Sequence, residues 1–400
     1  MSEIHTFIIW EKAREKEAEI LSDLKKNFRI LQICEINWSE EKFEENLLRL
    51  YGNSLKKSSA KKNVCGSGAF LLIIVRDENP TYSKRNTLHG EDTVNVNIFD
   101  KKIKYRKIVG GGQRVHASNS EKESNRAIGL ILNKSSENFE KYEGEKLEII
   151  KISNDIAGSI QWDSLEQFFT ILNQSLDYVV LRNFEELPNN FKIGFKGDID
   201  ILAEDKNEIE LISNAKKISP QNFGRRFRIL VNNEKIHLDL RYVGDGYLDE
   251  EWQKSILDKR ISRSGIFVPN EKNYFYSYLY HCLIQKKSIS EIHARKISKL
   301  GKNIAKNIDI VKDNNKENFR EELEQFLKKE NFSYSQPIDN SVFFDNEFVN
   351  QSNKIKITKK EGIREQNTSS YIRLIQNSFF ILRSEGIRSL LQAAKAKFGK

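Results

Sequence analysis

The chain has 400 residues, of which 38% are hydrophobic and 31% are charged, so it can bury more than one core and wholesale disorder is excluded. Its net charge of +9 is local, because eleven Lys or Arg against three Glu give residues 351–400 a charge of +8. An extended basic groove is therefore not indicated, and nucleic acid is not an expected partner.

Cysteine usage and hydropathy indicate the compartment. The three cysteines show neither metal-ligand spacing nor even pairing, which suits a reducing cytoplasm. No stretch approaches the roughly 18 uncharged apolar residues that cross a bilayer. We therefore expect a cytoplasmic protein, at most attached to the inner face of a membrane.

Residues 1–154 are predicted to form an N-terminal α/β domain. Strands are expected at "IHTFIIW", "FRILQICEINW", "GAFLLIIVRD" and "TVNVNIFDKKIKYRKIV", with helices at "EKAREKEAEILSDLKKN" and "EKESNRAIGLILN". The alternation of the two patterns is typical of an α/β fold.

A second domain is predicted over residues 155–310. It combines a helix at "SLEQFFTILNQSL", strands at "DYVVLRN" and "GDIDILAED", a helix at "NEIELISNAKKI", and a hairpin that joins "RRFRILVN" to "KIHLDLRYV". An aromatic helix, "NYFYSYLYHCLIQK", follows. His281 on that helix is expected in the core, and Tyr247 and Trp252 are expected to be packing residues.

The remainder of the chain divides into two parts. Residues 311–370 are polar and irregular, and they are interpreted as a partly ordered linker. Residues 371–400 are predicted to form a basic amphipathic helix, which can lie on anionic lipid or pack on its own domain, packing being favoured.

Two strands carry carboxylates on one face. Residues two apart on a strand share a face, which places Asp198 with Asp200 and places Asp239 with Arg241. If the two strands lie side by side, the three carboxylates converge. Such a cluster repels itself unless a cation such as Mg²⁺ or Mn²⁺ is held there, and Mg²⁺ prefers oxygen ligands and phosphates. The alternative is an ordinary solvent-facing Asp-x-Asp.

Glycine before an Asp-x-Asp strand, with a third Asp in a later hairpin strand, resembles the DNA polymerase β-like nucleotidyltransferase superfamily over about residues 155–300. The resemblance implies a mixed-sheet catalytic domain. It also implies that Asp198, Asp200 and Asp239 are catalytic and bind metal. A phosphorus-containing group would come from a nucleotide donor, an NTP or a CDP-linked compound. The stretch is similar to nucleotidyltransferase-like proteins of bacterial surface-glycan genes and, more distantly, to LicD/fukutin-type transferases.

One departure from the family concerns phosphate binding. The family's Gly-Ser after the first strand is replaced by Leu181-Arg182-Asn183. Arg182 and Arg241 can bind phosphate through their guanidinium groups, and the alternative for Arg241 is a pair with an acidic neighbour. Lys196 and Gly197 are further candidates, with a solvated lysine as the alternative for Lys196.

A glycine run in the first domain suggests a second anion site. Gly111 and Gly112 lie between a predicted strand and a predicted helix, and Arg114 and His116 follow. Free backbone N–H groups at a helix start bind phosphate. The alternative is a flexible connection before a helix that Ser120 and Glu123 cap.

These observations lead to one functional hypothesis with two rivals. The leading hypothesis is a Mg²⁺-dependent nucleotidyl- or phospho-substituent transferase that acts on a sugar, alditol or glycan precursor in cell-surface polysaccharide biosynthesis. The rivals are a toxin-like or tRNA-directed nucleotidyltransferase, and a non-catalytic binding or assembly protein that keeps the fold.

Overall fold

The computed structural model describes residues 2–55, 57–87, 90–140, 148–191, 198–218, 226–302, 304, 317–352 and 355–358. The chain forms two compact units. The first contains residues up to 175 together with 211–214, and the second contains residues 176–210 together with those from 215 onward. The prediction of an α/β fold is confirmed. Lys196, Gly197 and the predicted helix at 371–400 lie outside the described residues.

The first unit alternates strands and helices. Its strands are β1 (Glu3–Ile9), β2 (Arg29–Ile36), β3 (Phe70–Asp77), β4 (Tyr82–Thr87), β5 (Gly90–Asn95), β6 (Val115–Ala117) and β7 (Ile149–Ile152). Its α-helices are α1 (Glu17–Asn27), α2 (Phe43–Tyr51), α3 (Ser58–Cys65), α4 (Val96–Ile108), α5 (Glu121–Leu132), α6 (Glu137–Glu140) and α7 (Leu165–Ser175). Short 3₁₀ helices occupy Glu11–Lys16 and Gly52–Ser54.

Five of these strands form one sheet in the order β6-β1-β3-β2-β7. Strands β1 and β3 are antiparallel, β2 is antiparallel to β3, and β7 is parallel to β2. Side chains of α1 and α4 pack with one face of the sheet, and side chains of α5 and α6 pack with Leu31 and Ile74 on the other. The central strand β3 is buried from Phe70 to Val75, as a strand covered on both faces should be.

The strand predicted over "TVNVNIFDKKIKYRKIV" is wrong for most of its length. Residues 96–108 form α4, because the side chain of Asn95 accepts hydrogen bonds from the backbone N–H groups of Asn97 and Ile98 and caps the helix. The buried residues Ile98, Phe99, Lys102 and Tyr105 follow a helical spacing. The alternating apolar residues at the start of the segment indicated a strand.

Helix α7 belongs to the first unit, whereas the sequence placed it in the second domain. It lies against α5 at Gly129, where an added Cβ would stand 3.2 Å from Ile171 Cδ1. A Cβ at this position would also crowd the side-chain oxygen of Gln174, so glycine lets these two helices pack closely.

The second unit contains the remaining elements of the described chain. Its strands are β8 (Tyr178–Val180), β9 (Ile199–Ala203), β10 (Lys216–Lys217), β11 (Arg226–Val231), β12 (Glu234–Tyr242), β13 (Ile261–Arg263), β14 (Ile266–Val268), β15 (Tyr334–Ser335) and β16 (Ile357–Thr358). Its helices are α8 (Lys206–Ser213), whose last residues belong to the first unit, α9 (Glu250–Asp258), α10 (Glu271–Ile284), α11 (Glu291–Gly301), α12 (Glu317–Glu330) and α13 (Asn346–Asn350).

The second sheet has the order β10-β11-β12-β9-β8, and it is mixed because β9 and β12 are parallel. The predicted hairpin between β11 and β12 is present. Its turn residues Asn232 and Asn233 have φ values of 46° and 64°, the left-handed conformation that a two-residue hairpin requires and that asparagine tolerates. The hairpin carries Asp239 to the centre of the sheet.

Residues that were expected to form a linker contribute to the core of this unit. Phe319, Leu323, Phe326 and Leu327 of α12 are buried in the same cluster as Trp252. The indole of Trp252 stacks on Phe332 with ring centroids 5.6 Å apart. The apolar residues of α12 recur at helical spacing, so burial against α10 stabilises a helix that is otherwise highly polar.

No helix in the described ranges combines the length and the apolar character that crossing a membrane requires.

Candidate active site

Strands β9 and β12 place two aspartates side by side. Asp200 and Asp239 are direct register partners in the parallel pair, and Asp198 stands immediately before β9. The flanking residues Ile199 and Ile201 are buried. The backbone therefore fixes the relative positions of the two strand carboxylates, since neither can move away without breaking the ladder.

These aspartates line a cleft of about 540 Å³ within the second unit. Arg182 and Arg241, both predicted site residues, line the same cleft. Its other walls come from the end of α10 and the residues just after it, from α11, from the segment after β15, and from the start of β11 and the segments after β8 and β12: Asn183, Arg226, Tyr247, Tyr278, His281, Gln285, Lys286, Lys287, His293, Ser341, Val342 and Phe343. Five Arg or Lys side chains against three Asp give the cleft a positive excess, which favours an anionic ligand.

Arg182 lies at the end of β8 and neutralises Asp200. Its Nη2 donates to Asp200 Oδ1 at 2.6 Å, and its Nη1 donates to the hydroxyl of Tyr247 at 2.8 Å. Asp200 is only 7% exposed, so this is a buried charge pair.

Arg241 neutralises Asp239 in the same way and has a second acidic partner. Its Nη2 donates to Asp239 Oδ2 at 2.7 Å, and its Nη1 donates to Asp339 Oδ2 at 3.1 Å. Asp339 is buried and accepts hydrogen bonds from the backbone N–H and the hydroxyl of Ser341. The segment after β15 therefore completes the site.

Asp198 is the most exposed of the three predicted metal ligands. Its Oδ2 lies 3.7 Å from Arg226 Nε, and its Oδ1 lies 3.9 Å from His237 Nδ1. Both distances exceed hydrogen-bond length, so Asp198 is held less tightly than Asp200 and Asp239.

Burial and charge together perturb Asp200. Burial, together with repulsion from Asp239, raises the pKa of Asp200 from 3.8 to about 6, although the charge of Arg182 lowers it. Burial alone would lower the pKa of Arg241. The charges of Asp239 and other acidic neighbours outweigh it, so the pKa of Arg241 is raised. A carboxyl with a pKa raised toward neutrality beside a second carboxylate is typical of a functional site.

A second wall of the cleft is basic and was missed from the sequence. Lys286, Lys287 and His293 line it. Burial, followed by the charges of Lys286, Lys296 and Arg182, lowers the pKa of His293. The signal available in the sequence was "QKKS" at the end of α10, a basic pair that follows a buried aromatic helix.

Tyr247 and His281 were expected to be packing residues, but both line the cleft. His281 and Gln285 are polar residues one helical turn apart near the end of α10, which is otherwise largely apolar. That spacing could have indicated a polar face directed at a site.

The structure does not place the glycine run at the start of a helix, which is where the predicted anion site of the first unit required it. The backbone N–H groups of Gly110 and Gly111 donate to Lys107 and Arg106 carbonyls and close the end of α4. Strand β6 then intervenes before α5, so the run does not feed the helix start. Arg114 Nη1 donates to the carbonyl of Val109.

His116 instead belongs to a group of buried ionisable residues. Its Nε2 lies 3.3 Å from Glu123 Oε1, and its ring meets Tyr51 edge-on. Lys61 and Lys102 are buried, and burial lowers the pKa of each to about 8. The Tyr51 hydroxyl is buried with no hydrogen-bond partner among the described residues.

The fit of a divalent cation depends on the three aspartates. As placed, each faces a basic side chain, and within the described ranges no three His, Cys, Asp or Glu residues form a ligand set. Asp239 Oδ1, however, is buried and has no hydrogen-bond partner among the described residues. A buried carboxylate oxygen without a partner fits a hard cation that prefers oxygen ligands. The adjacent carboxyl of Asp200, whose pKa the charge of Asp239 helps to raise, fits such a cation as well.

Comparisons with known proteins provide little further information. No family model matches the chain, and a search of curated proteins found no significant match. Among solved structures, the orthorhombic crystal form of the Aquifex aeolicus nucleoside diphosphate kinase is 16% identical, with a TM-score of 0.21. That match covers 32% of this chain and 93% of the kinase chain.

Proposed function

We propose that the second unit transfers a nucleotidyl or phospho-substituent group in a reaction that requires Mg²⁺ or Mn²⁺. The observation that carries this proposal is the register pairing of Asp200 with Asp239 in a cleft whose charge is positive in excess. Paired carboxylates and guanidinium groups in one cleft suit chemistry at phosphorus, where catalysis consists of positioning and charge neutralisation.

The side chains divide this task between them. Arg182 and Arg241 would neutralise the charge of the bound phosphates, because both line the cleft and planar guanidinium groups match phosphate oxygens. Asp239 would orient the attacking hydroxyl or phosphate of the acceptor. The basic wall of Lys286, Lys287 and His293 would hold the rest of the anionic donor.

Asp200 and Asp239 are the residues that would hold the cation, with Asp198 as the third ligand. When bound, the cation would polarise phosphoryl oxygens and neutralise charge on the leaving group. The pairs with Arg182 and Arg241 balance the carboxylates in the structure described here.

The acceptor that we propose is a hydroxyl or phosphate of a sugar, an alditol or a glycan precursor, with an NTP or a CDP-linked donor. Support for this acceptor comes from the resemblance over residues 155–300 and from the near-neutral charge outside residues 351–400. The same charge distribution disfavours tRNA as the acceptor.

The proposal is tested by incubating the full chain with Mg²⁺ or Mn²⁺ and a panel of labelled NTPs and CDP-alditols, with sugar phosphates as acceptors. Wild type is expected to consume one donor class, and Asp200→Ala is expected to consume none. Asp258→Ala, which removes an exposed carboxylate of the same unit, should behave as wild type. If wild type and Asp200→Ala gave the same result with every donor, the proposal would be refuted.

A second candidate function belongs to the first unit, where we propose that the group around His116 binds a phosphorylated ligand. Lys61, Lys102 and Arg106 lie close enough for their charges to affect the pKa of one another or of His116. Burial lowers the pKa of each of these four groups. Several buried cations near one carboxylate, Glu123, repel each other, and a bound anion would relieve that repulsion.

Sulfate binding by the first unit is expected to weaken as the pH rises from 7 to 9. Because the pKa values of Lys61 and Lys102 are about 8, both lose their charge in this interval, while sulfate keeps its charge. The measurement is a calorimetric titration of the full chain with sulfate at several pH values. Lys102→Met should reduce this pH-dependent component to the part that Lys61 supplies, and Lys107→Met, an exposed lysine of the same helix, should retain it in full. An unchanged pH profile in Lys102→Met would contradict the assignment.

A further inference from the structure

The hydroxyl of Tyr247 is contacted by two nitrogen atoms from residues that also line the cleft. Arg182 Nη1 donates to it at 2.8 Å, and His281 Nδ1 lies 3.1 Å from it. Tyr247 is only 4% exposed, yet it lines the cleft. Which way this hydroxyl donates therefore depends on whether His281 Nδ1 carries a proton.

Gln285 determines where that proton lies. Its Nε2 donates to the backbone carbonyl of Tyr247 at 2.6 Å, which leaves its Oε1 facing His281 Nδ1 at 3.0 Å. An amide oxygen only accepts hydrogen bonds, so His281 Nδ1 must carry a hydrogen. Burial and the charge of Arg182 lower the pKa of His281, so the ring is neutral and this N–H is the one it has.

The Tyr247 hydroxyl thus accepts from Arg182 and shares the single Nδ1 hydrogen of His281 with Gln285 Oε1, and a protonated Nδ1 cannot accept the hydroxyl hydrogen. The hydroxyl's own hydrogen has no acceptor among the described residues, which place only those two nitrogens within hydrogen-bond distance. Tyr247 lines the cleft, where a bound ligand can supply this acceptor. A buried hydroxyl hydrogen without a partner is costly, so a ligand that supplies an acceptor gains free energy there.

The two arginines of the cleft surround this ring. The Arg241 guanidinium lies 4.5 Å from the ring centroid of Tyr247, and that of Arg182 lies 5.8 Å from it. Both cations and the hydroxyl therefore lie around one residue of the cleft lining. An acceptor that meets all three is an anionic oxygen.

We infer that Tyr247 is a ligand-contacting residue whose hydroxyl donates a hydrogen bond to an anionic phosphate oxygen of the bound substrate, and that Gln285 and His281 orient the hydroxyl for this contact. The inference rests on the proposed function of the second unit and adds a residue to it. His281 and Gln285 are positioning residues, since both act through Tyr247.

Inorganic pyrophosphate serves as the probe in a metal-free calorimetric titration of the full chain. Tyr247→Phe is expected to bind it roughly 10-fold more weakly than wild type, because one hydrogen bond to a charged acceptor is lost. Tyr274 lies on the same helix as His281, and its hydroxyl contacts Glu185. The control variant Tyr274→Phe should bind pyrophosphate as wild type does.

A double-mutant cycle separates this role from a merely structural one. Gln285→Leu frees His281 to accept from Tyr247, so pyrophosphate binding should weaken by a similar factor. The double variant Tyr247→Phe/Gln285→Leu should bind pyrophosphate no more weakly than either single variant, because both changes remove the same hydrogen bond from the Tyr247 hydroxyl to the ligand. In ¹⁵N-histidine spectra, His281 of the wild type should show its proton on Nδ1.

The outcomes distinguish the inference from the proposed function. If wild type binds pyrophosphate and Tyr247→Phe binds it equally well, or if His281 Nδ1 carries no proton, the inference is overturned while the proposed transfer reaction stands. If wild type does not bind pyrophosphate, both the inference and the phosphate site that it deepens are rejected.

Discussion

Replacing Asp200 with asparagine is expected to lower transfer activity by roughly 10²- to 10³-fold and, at the same time, to remove one pH-dependent contribution to the stability of the fold. The loss of activity follows because the variant removes one of the two carboxylates that the register brings together. The change in pH dependence follows because burial disfavours the charge of Asp200 in the folded protein, whereas asparagine carries no charge.

The sign of the stability effect follows from the pKa. In the folded state burial raises the pKa of Asp200 from 3.8 to about 6, so the folded protein binds this proton more tightly than the unfolded chain does. The resulting stabilisation is fully present below about pH 4 and is lost as the pH rises through 6. The difference between the folded and unfolded pKa values corresponds to roughly 3 kcal/mol of folding free energy.

The measurement is urea unfolding of wild type and Asp200→Asn at pH values from 4 to 8. The stability of the variant relative to wild type should rise by roughly 2–3 kcal/mol between pH 4 and pH 7. Asp258→Asn, at an exposed position of the same unit, should follow wild type throughout. A difference between wild type and Asp200→Asn that did not change with pH would contradict the assigned pKa.

Arg241→Met is expected to destabilise the second unit by about 3–5 kcal/mol, because removal of one partner leaves a buried charge uncompensated. Arg241 is 4% exposed and donates to two carboxylates, Asp239 and Asp339. Methionine fills a similar volume, so the loss of charge dominates over the loss of packing.

Neutralising the stranded carboxylate should restore part of the loss. In the Arg241→Met background, Asp339→Asn is expected to recover about 1–2 kcal/mol, because an amide costs less to bury than an unpaired carboxylate. Hydrogen exchange across the peptide that contains β12 reports the second unit separately from the first, with Arg226→Met, at an exposed arginine of the same sheet, as the control. Equal stability of Arg241→Met and wild type would show that the buried pairs are not coupled to folding.

The sequence contained enough information to predict the faces of β9 and β12, because the alternation of Ile and Leu with Asp is a local pattern. It also indicated the hairpin turn, since two consecutive asparagines favour left-handed φ values. The contribution of Asp339 could not be found in this way. Asp339 is 98 residues from Arg241, and its neighbours form no long periodic pattern.

The error in α4 has a similar origin. Val94, Val96 and Ile98 alternate as they would on a strand, while the helix depends on a cap by Asn95 and on burial of Tyr105 against the sheet. Likewise, the sequence around His281 and Tyr247 is typical of a buried core, and only the fold shows that these two residues line a cleft. Tertiary contacts therefore decided the elements and side chains that local pattern left open.

The contact between Arg241 and Asp339 also sets an order of events during translation. The ribosome synthesises Asp339 98 residues after Arg241, an interval of roughly 5–20 seconds at ordinary elongation rates. During that interval the nascent chain can form the pair with Asp239 but not the second pair. The cleft is therefore completed only when the later part of the chain has left the ribosome, and a nascent chain interrupted before that point carries the strand carboxylates without their finished surroundings.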